Sequence, residues 1–221
     1  MAPRRPPLIL LPPSESKWAP VRGKPIDLDR LSFPALNPLR EELLDDDLRR
    51  APTTTAARLY TGVLYAALDI STLPARAAGN IVIVSAQFGA LRPADRVPTY
   101  RREMEAAHWR AGLATALGEA AEGRLVMDCR SATYVAAWRP SGDSTRARVQ
   151  VAVVEERDGE RRAVSHMAKK TRGDVARHLL VSGARPRSPA DLANAVRELY
   201  ACELTPPERA GAPYVLTVVQ R

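Results

Sequence analysis

Between Ser85 and Arg101 the chain gathers groups that can handle an anion: Arg92, Asp95, Tyr100 and Arg101 follow a short Ser/Gln/Gly turn. The planar fork of arginine suits bidentate recognition of phosphate. Asp95 adds a carboxylate able to act as acid or base, and Pro93 fixes the backbone just beyond Arg92. Three other blocks carry related chemistry. Ser14-Glu15-Ser16-Lys17 offers two hydroxyls, a carboxylate and an ammonium, without the glycines of a phosphate-binding P-loop. Lys169, Lys170 and Arg172 stand where a helix is expected to begin, and cations there oppose the helix dipole unless they bind an anion. Asp128 precedes Cys129-Arg130-Ser131 and reads as a general base, or as an orienting group for Arg92 or Lys17; Tyr134, one turn past Ser131, faces the same cleft. The expectation is that Lys17, Arg92, Arg101 and Lys169 or Arg172 line one cavity, with Asp95 or Asp128 nearby. The plainer alternatives are that Arg92 and Asp95 only pin their own loop, and that the lysines form a solvated helix start.

The elements that must position these groups are read from periodicity. Leu8 to Leu11, Ile81 to Val84 and Leu125 to Asp128 are short apolar runs that predict buried strands, and polar loops at strand carboxyl ends are where α/β proteins bind ligands. Pro38 to Arg50 predicts a helix with Asn37 as N-cap; Thr53 to Leu68 predicts a second, capped by Thr54 or Thr55. Ala106 to Ala121 predicts an alanine-rich helix. Arg146 to Glu155 alternates as a long strand, Asp158-Gly159 marks a turn, and Arg161 to Met167 reads as the returning strand. Lys169 to Val181, ended by Gly183, and Pro189 to Tyr200, capped by Ser188, predict helices; Tyr214 to Val219 predicts a last strand. Mixed helices and strands without repeats or a dividing linker imply one α/β (α+β mixed) domain over residues 1–221, a mixed sheet flanked by helices.

Composition narrows the function. The chain has 221 residues, of which 45% are hydrophobic, enough for a substantial core. No apolar run approaches the roughly 20 residues of a membrane span, and Leu8 to Leu11 is too short for a secretory segment, so the expected location is the cytoplasm. Cys129 and Cys202 are too few for a disulfide framework or a metal site, and His108, His166 and His178 lack paired ligand spacing, so neither metal nor cofactor is expected. The net charge of +8 favours anionic partners, nucleic acid or a phosphate-bearing small molecule. Aromatic residues make up only 5%, too few for an extended base-stacking platform.

Five blocks, in order, resemble the YaaA family of peroxide stress proteins. Ser85, Phe88-Gly89, Leu91-Arg92-Pro93, Asp95, Pro98, Tyr100-Arg101 and Met104 match its signature; Leu8 to Lys17, Tyr60-Thr61-Gly62, Asp128 to Tyr134 and Ala168 to Gly173 resemble its other blocks. The resemblance implies a YaaA-like fold, a role in the oxidative stress response, and binding of nucleic acid or another phosphate-bearing ligand. It implies ligand contacts at Ser14, Tyr60, Thr61, Ser85, Phe88, Gly89, Arg92, Tyr100, Arg101, Ser131, Lys169 and Arg172, with Lys17, Asp95, Asp128 and Tyr134 available for catalysis. The alternative function is an enzyme acting on a nucleotide or nucleobase-like molecule by N-glycosidic or lyase chemistry. Many relatives carry a helix-hairpin-helix-like element before the Tyr-Thr-Gly block. That hairpin needs a glycine turn whose N–H groups face a phosphate, and no glycine lies between Gly23 and Gly62. This chain is therefore expected to be trimmed there.

Overall fold

The computed structural model describes residues 5–139, 147–163 and 166–220. Its strands are β1 (Leu8–Leu11), β2 (Thr54–Thr55), β3 (Ile81–Ser85), β4 (Gly89–Leu91), β5 (Arg96–Val97), β6 (Leu125–Asp128), β7 (Ala147–Arg157), β8 (Glu160–Ala163), β9 (Ala201–Thr205) and β10 (Tyr214–Gln220). Its α-helices are α1 (Asn37–Glu42), α2 (Asp46–Arg50), α3 (Ala56–Leu59), α4 (Val63–Leu68), α5 (Ala75–Ala78), α6 (Ala106–Ala121), α7 (Ala132–Ala137), α8 (His166–Val181) and α9 (Pro189–Arg197).

Continuous apolar runs such as Leu-Ile-Leu-Leu and Ile-Val-Ile-Val are suited to strands covered on both faces, and the chain uses them so. One sheet runs in the order β4-β3-β1-β6-β7-β10-β9, with β8 beside the far half of β7. Strands β1, β3, β6, β7 and β10 are parallel, while β4, β8 and β9 join antiparallel. Side chains alternate across the pleat. Ile9, Leu11, Ile83, Met127 and Val151 face a core shared with Leu64, Leu68, Val175 and Leu192 of the helices. Leu8, Leu10, Val82, Val84 and Val126 face Trp109, Leu113 and Leu117 of α6. The result is the expected α/β class, a mixed sheet between helical layers. The parallel arrangement sends the carboxyl ends of β1, β3 and β6 to one side, and with them the loops that follow Leu11, Ser85 and Asp128.

Several elements differ from the sequence reading. The helix expected over Pro38 to Arg50 is two short ones, because the Asp45 side chain accepts from the Leu48 N–H (2.8 Å) and starts a new helix in an acidic run. Asn37 is not a cap: it lies in α1, donating to Leu28 O and accepting from Arg40. The helix expected over Thr53 to Leu68 is broken twice. The β-branched pair Thr54-Thr55 joins Arg96-Val97 as an antiparallel ribbon, and Tyr60 to Gly62 separates α3 from α4. Segment 51–62 thus holds a two-residue strand and a one-turn helix rather than a helical hairpin. The strand expected to reach Met167 ends at Ala163, and α8 already begins at His166. Lys169, Lys170 and Arg172 therefore lie inside α8, not ahead of it. The last helix stops at Arg197, and β9 follows where no strand is expected, an edge strand of which Cys202 and Leu204 turn inward. Arg146, expected to open a strand, lies outside the described residues.

Helix α8 packs closely on α4 because Gly173 has no side chain. A Cβ there would stand 2.3 Å from Leu64 O and 2.8 Å from Ala67 Cβ. Gly173→Ala should force the two helices apart and destabilise the protein by roughly 1–3 kcal/mol, read as a fall of several degrees in melting temperature; an unchanged melt would show that this contact yields without cost.

Candidate functional site

Beyond the carboxyl end of β3 lies a chain of buried hydroxyls. Ser85 Oγ accepts from the backbone N–H groups of Gln87 (3.2 Å) and Phe88 (3.1 Å) and lies 2.8 Å from Tyr100 Oη, which is 2.9 Å from Tyr60 Oη. A serine hydroxyl has two lone pairs and one hydrogen. Both lone pairs are taken by the two N–H groups, so the serine hydrogen points to Tyr100, whose hydroxyl shares a further hydrogen bond with Tyr60. Burial pushes the Tyr60 and Tyr100 hydroxyls well above the ordinary phenol range, so the chain is neutral. Around it Phe88 meets Tyr100 edge-on (5.4 Å between centroids) and Tyr65 stacks on Tyr60 (5.2 Å). Tyr65 also donates to Pro12 O (2.6 Å), tying the chain to the loop after β1. Gly89 is needed for two reasons: its φ is +70°, and a Cβ would collide with the Trp109 ring at 2.6 Å.

The loop after β1 lies across this floor. Lys17 pairs with Tyr60 as an isolated antiparallel bridge, flanked by Trp18 N–H to Leu59 O (2.8 Å) and Thr61 N–H to Ser16 O (3.2 Å). Gly62 admits Ser14, whose Cβ would stand 2.8 Å from any Cβ at that position; the Ser14 hydroxyl bonds to Ser16 O. The Lys17 ammonium sits 4.5 Å from the Tyr100 ring centroid. Burial, then Arg101, lowers its pKa, and Glu15 partly offsets them. The ring face favours the ammonium by about 0.5–1 kcal/mol, worth less than one pKa unit. Glu15 itself reaches Lys169 at 3.5 Å on α8. Tyr134 is half-buried; its pKa is raised by burial and then by Glu15 and Glu103. Arg172 donates to Val151 O (3.2 Å) and its charge acts on Cys129 just past β6. At the rim the exposed Trp18 ring lies 5.2 Å from the Arg58 guanidinium.

Thus Ser14, Lys17, Tyr60, Thr61, Ser85, Phe88, Gly89, Tyr100, Arg101, Tyr134, Lys169 and Arg172 gather at one end of the sheet. Three expected members do not join them. Arg92 follows β4, which runs back along β3, so its guanidinium reaches the amino end of that strand and donates to Gly79 O (2.9 Å) and Ile81 O (3.1 Å). Asp95 is buried and accepts from Ser32 N–H and Oγ and from the Arg92 backbone N–H (2.7 Å), a clamp on its own loop. Asp128 is buried against Arg130, which gives its carboxylate a bidentate pair at 2.9 and 2.7 Å, with Arg148 at 3.6 Å. It orients neither Arg92 nor Lys17. Ser131 stands exposed at the N-cap position of α7, with no capping hydrogen bond from its side chain. The sequence reading missed Tyr65, Arg40 and Arg130. Arg40 is wholly buried and donates to Phe88 O, Ala90 O, Ser32 O and Asn37 Oδ1. An arginine on an otherwise leucine-rich helix face was the available signal.

A cavity of about 410 Å³ opens at the other end of the strands, lined by Pro7, Ile9, Leu179 and Val181 with Arg76 and Arg185 as its charged residues. It lies away from the hydroxyl chain. Among the described residues no three His, Cys, Asp or Glu groups could hold a metal ion.

A family model described as peroxide stress protein YaaA matches residues 27–204. A UPF0246 protein of Streptomyces coelicolor is 37% identical over 96% of this chain and 98% of its own length. UPF0246 proteins of Corynebacterium glutamicum and Dinoroseobacter shibae are 34% and 33% identical, over 84% and 72% of this chain and 89% and 62% of theirs. The Streptomyces alignment spans 256 positions against the 221 residues here, so that relative holds segments with no counterpart in this chain.

Two measurements test these assignments. Asp128→Asn should leave the buried Arg130 without its counter-charge and cost roughly 3–5 kcal/mol in chemical unfolding; a small cost with lost ligand binding would return Asp128 to the site. Burial raises the Cys129 thiol pKa to about 12, so in the native protein at pH 8 Cys129 should resist thiol reagents that label it quickly after unfolding.

Proposed function

We propose a function that starts from one premise: the chain belongs to the peroxide stress protein YaaA family. Its basic carboxyl-end face binds a phosphate-bearing ligand in the cytoplasm, nucleic acid before any free small molecule, and all 221 residues act as one domain in doing so. What supports this reading most is the gathering of Lys17, Arg101, Lys169 and Arg172 above a neutral hydroxyl floor, at the side of a largely parallel sheet where ligands commonly bind. Arg101 is exposed, and the half-exposed Lys169 makes with Glu15 a solvent-exposed pair that a phosphate can displace. The chain has no helical hairpin in segment 51–62 to present backbone N–H groups, so side-chain contacts to phosphate carry the affinity, and binding is indifferent to base sequence.

Gel-shift titrations with a duplex and with a single strand test the reading. Retardation should weaken steeply with salt, and Arg101→Ala or Lys169→Ala should each reduce the slope of log affinity against log salt by about one. Arg92→Ala, with its guanidinium on backbone carbonyls at the far end of β3, should lower the melting temperature and leave binding intact. No retardation at low salt with any probe would reject the reading.

A further inference from the structure

We infer that Lys17 is a nucleophilic amine that forms an imine with a sugar aldehyde carried on a phosphate chain. The inference rests on the phosphate-binding reading above and names the chemical class of ligand for the same site.

Position is the first argument. Lys17 is fixed by the bridge of its backbone to Tyr60, and its Nζ lies over the Tyr100 ring at 4.5 Å. A lysine kept only for charge would be expected to pair with an acid, as Lys169 does with Glu15 (3.5 Å) and Lys170 with Asp174 (2.8 Å). Among the described residues no carboxylate oxygen comes within 4.0 Å of Lys17 Nζ. Its surroundings are a half-buried position, the Tyr100 ring, the cation Arg101 and, beyond 4.0 Å, the Glu15 carboxylate; burial and then Arg101 lower the amine's pKa, and Glu15 offsets them only in part. Desolvation beside a second cation is a recognised way of freeing a lysine lone pair at neutral pH.

The electrophile follows from the rest of the site. Arg101 acts on the amine and Lys169 reaches Glu15 on the same loop (3.5 Å), and both cations suit the phosphates of a chain that carries the reacting sugar. An amine attacks a carbonyl carbon, and on a nucleic-acid chain the carbonyls that form an imine readily are the aldehydes of ring-opened sugars. Peroxide-derived radicals produce these by oxidising the sugars of nucleic acids, which fits the description of the family.

The step balances without a redox partner. The Nζ lone pair forms a bond to the aldehyde carbon, and the carbonyl π pair moves to oxygen, which takes up the proton released by nitrogen. The carbinolamine then loses water as the nitrogen lone pair closes the C=N bond. Amine and aldehyde give imine and water.

The test uses the full-length protein and an oligonucleotide with one abasic site, incubated with and without sodium borohydride. Hydride reduces an imine to a stable secondary amine, so an adduct should persist on a denaturing gel, and peptide mapping should place it on Lys17. Lys17→Arg, which keeps the charge and whose fold is checked by its melting curve, should lose the adduct, whereas Lys24→Arg, at an exposed lysine outside the site, should retain it. Arg101→Gln should move the pH midpoint of trapping to higher pH, because one cation that lowers the amine's pKa is gone; an unchanged midpoint overturns the part assigned to Arg101. Parallel gel shifts without borohydride separate the two readings. Retardation without an adduct, or an adduct that survives in Lys17→Arg, overturns the imine alone; neither retardation nor adduct overturns both.

Discussion

The hydroxyl chain from Ser85 through Tyr100 to Tyr60 is the constraint on which the site depends. Each of these oxygens is buried, and a buried hydroxyl without a partner costs about 1–3 kcal/mol. The cheapest way to satisfy all three is to hold the turn after β3, the Tyr100-Arg101 segment and the Tyr60 segment in one arrangement. Lys17 is then positioned on that floor by its backbone bridge to Tyr60 and by the Tyr100 ring. Phe88 and Tyr65 close the sides with apolar area, which keeps water out and keeps the chain of hydrogen bonds intact. The direction of donation is fixed at its buried end, so the hydroxyls form a preorganised array rather than a set of free rotors.

The arginines divide into two groups with opposite work. Arg40, Arg92 and Arg130 turn inward and use their forks to satisfy carbonyl oxygens, or in the case of Arg130 a carboxylate, that loops would otherwise leave unpaired. Arg40 holds the turn carrying Phe88 to Ala90, directly beneath the hydroxyl chain. Arg130 joins Asp128 to Tyr134 O and Trp138 O and so fixes the course of α7. These residues contribute to the net charge of +8 yet offer little of it to a partner. Arg101 and Arg58, by contrast, stand at the surface near Lys17 and Trp18, where charge can act on a ligand. The anion-binding character of this chain therefore comes from a small part of its basic composition.

Strand direction separates the two ends of the sheet. Because β4 returns antiparallel along β3, the signature stretch is drawn out along the strand: its beginning, at Ser85 and Phe88, lies at the carboxyl end, and Arg92 lies at the amino end. Pro93 to Val97 then pairs against Thr54 to Ala57 before the backbone comes back to Tyr100 beside Ser85. The stretch is a loop that leaves the site and returns to it, with Asp95 as the clamp at its far turn.

The sequence by itself determined the local elements. The apolar runs specify β1, β3 and β6. Asp158-Gly159, both at positive φ, specifies the β7–β8 hairpin, and Ser188 with Asp191 forms a capping box at α9. Each of these rests on residues within a few positions of one another, so the pattern and its physical cause are both local. The blocks that carry the family resemblance were equally legible, because they are strings of residue types. What only the tertiary structure decided is which members of those blocks meet. Ser85, Tyr100 and Tyr60 come together across 40 positions, and whether an arginine faces a ligand or a carbonyl depends on which strand end its long side chain can reach. The residue type is the same in Arg92 and Arg101; the direction of β4 is what parts them.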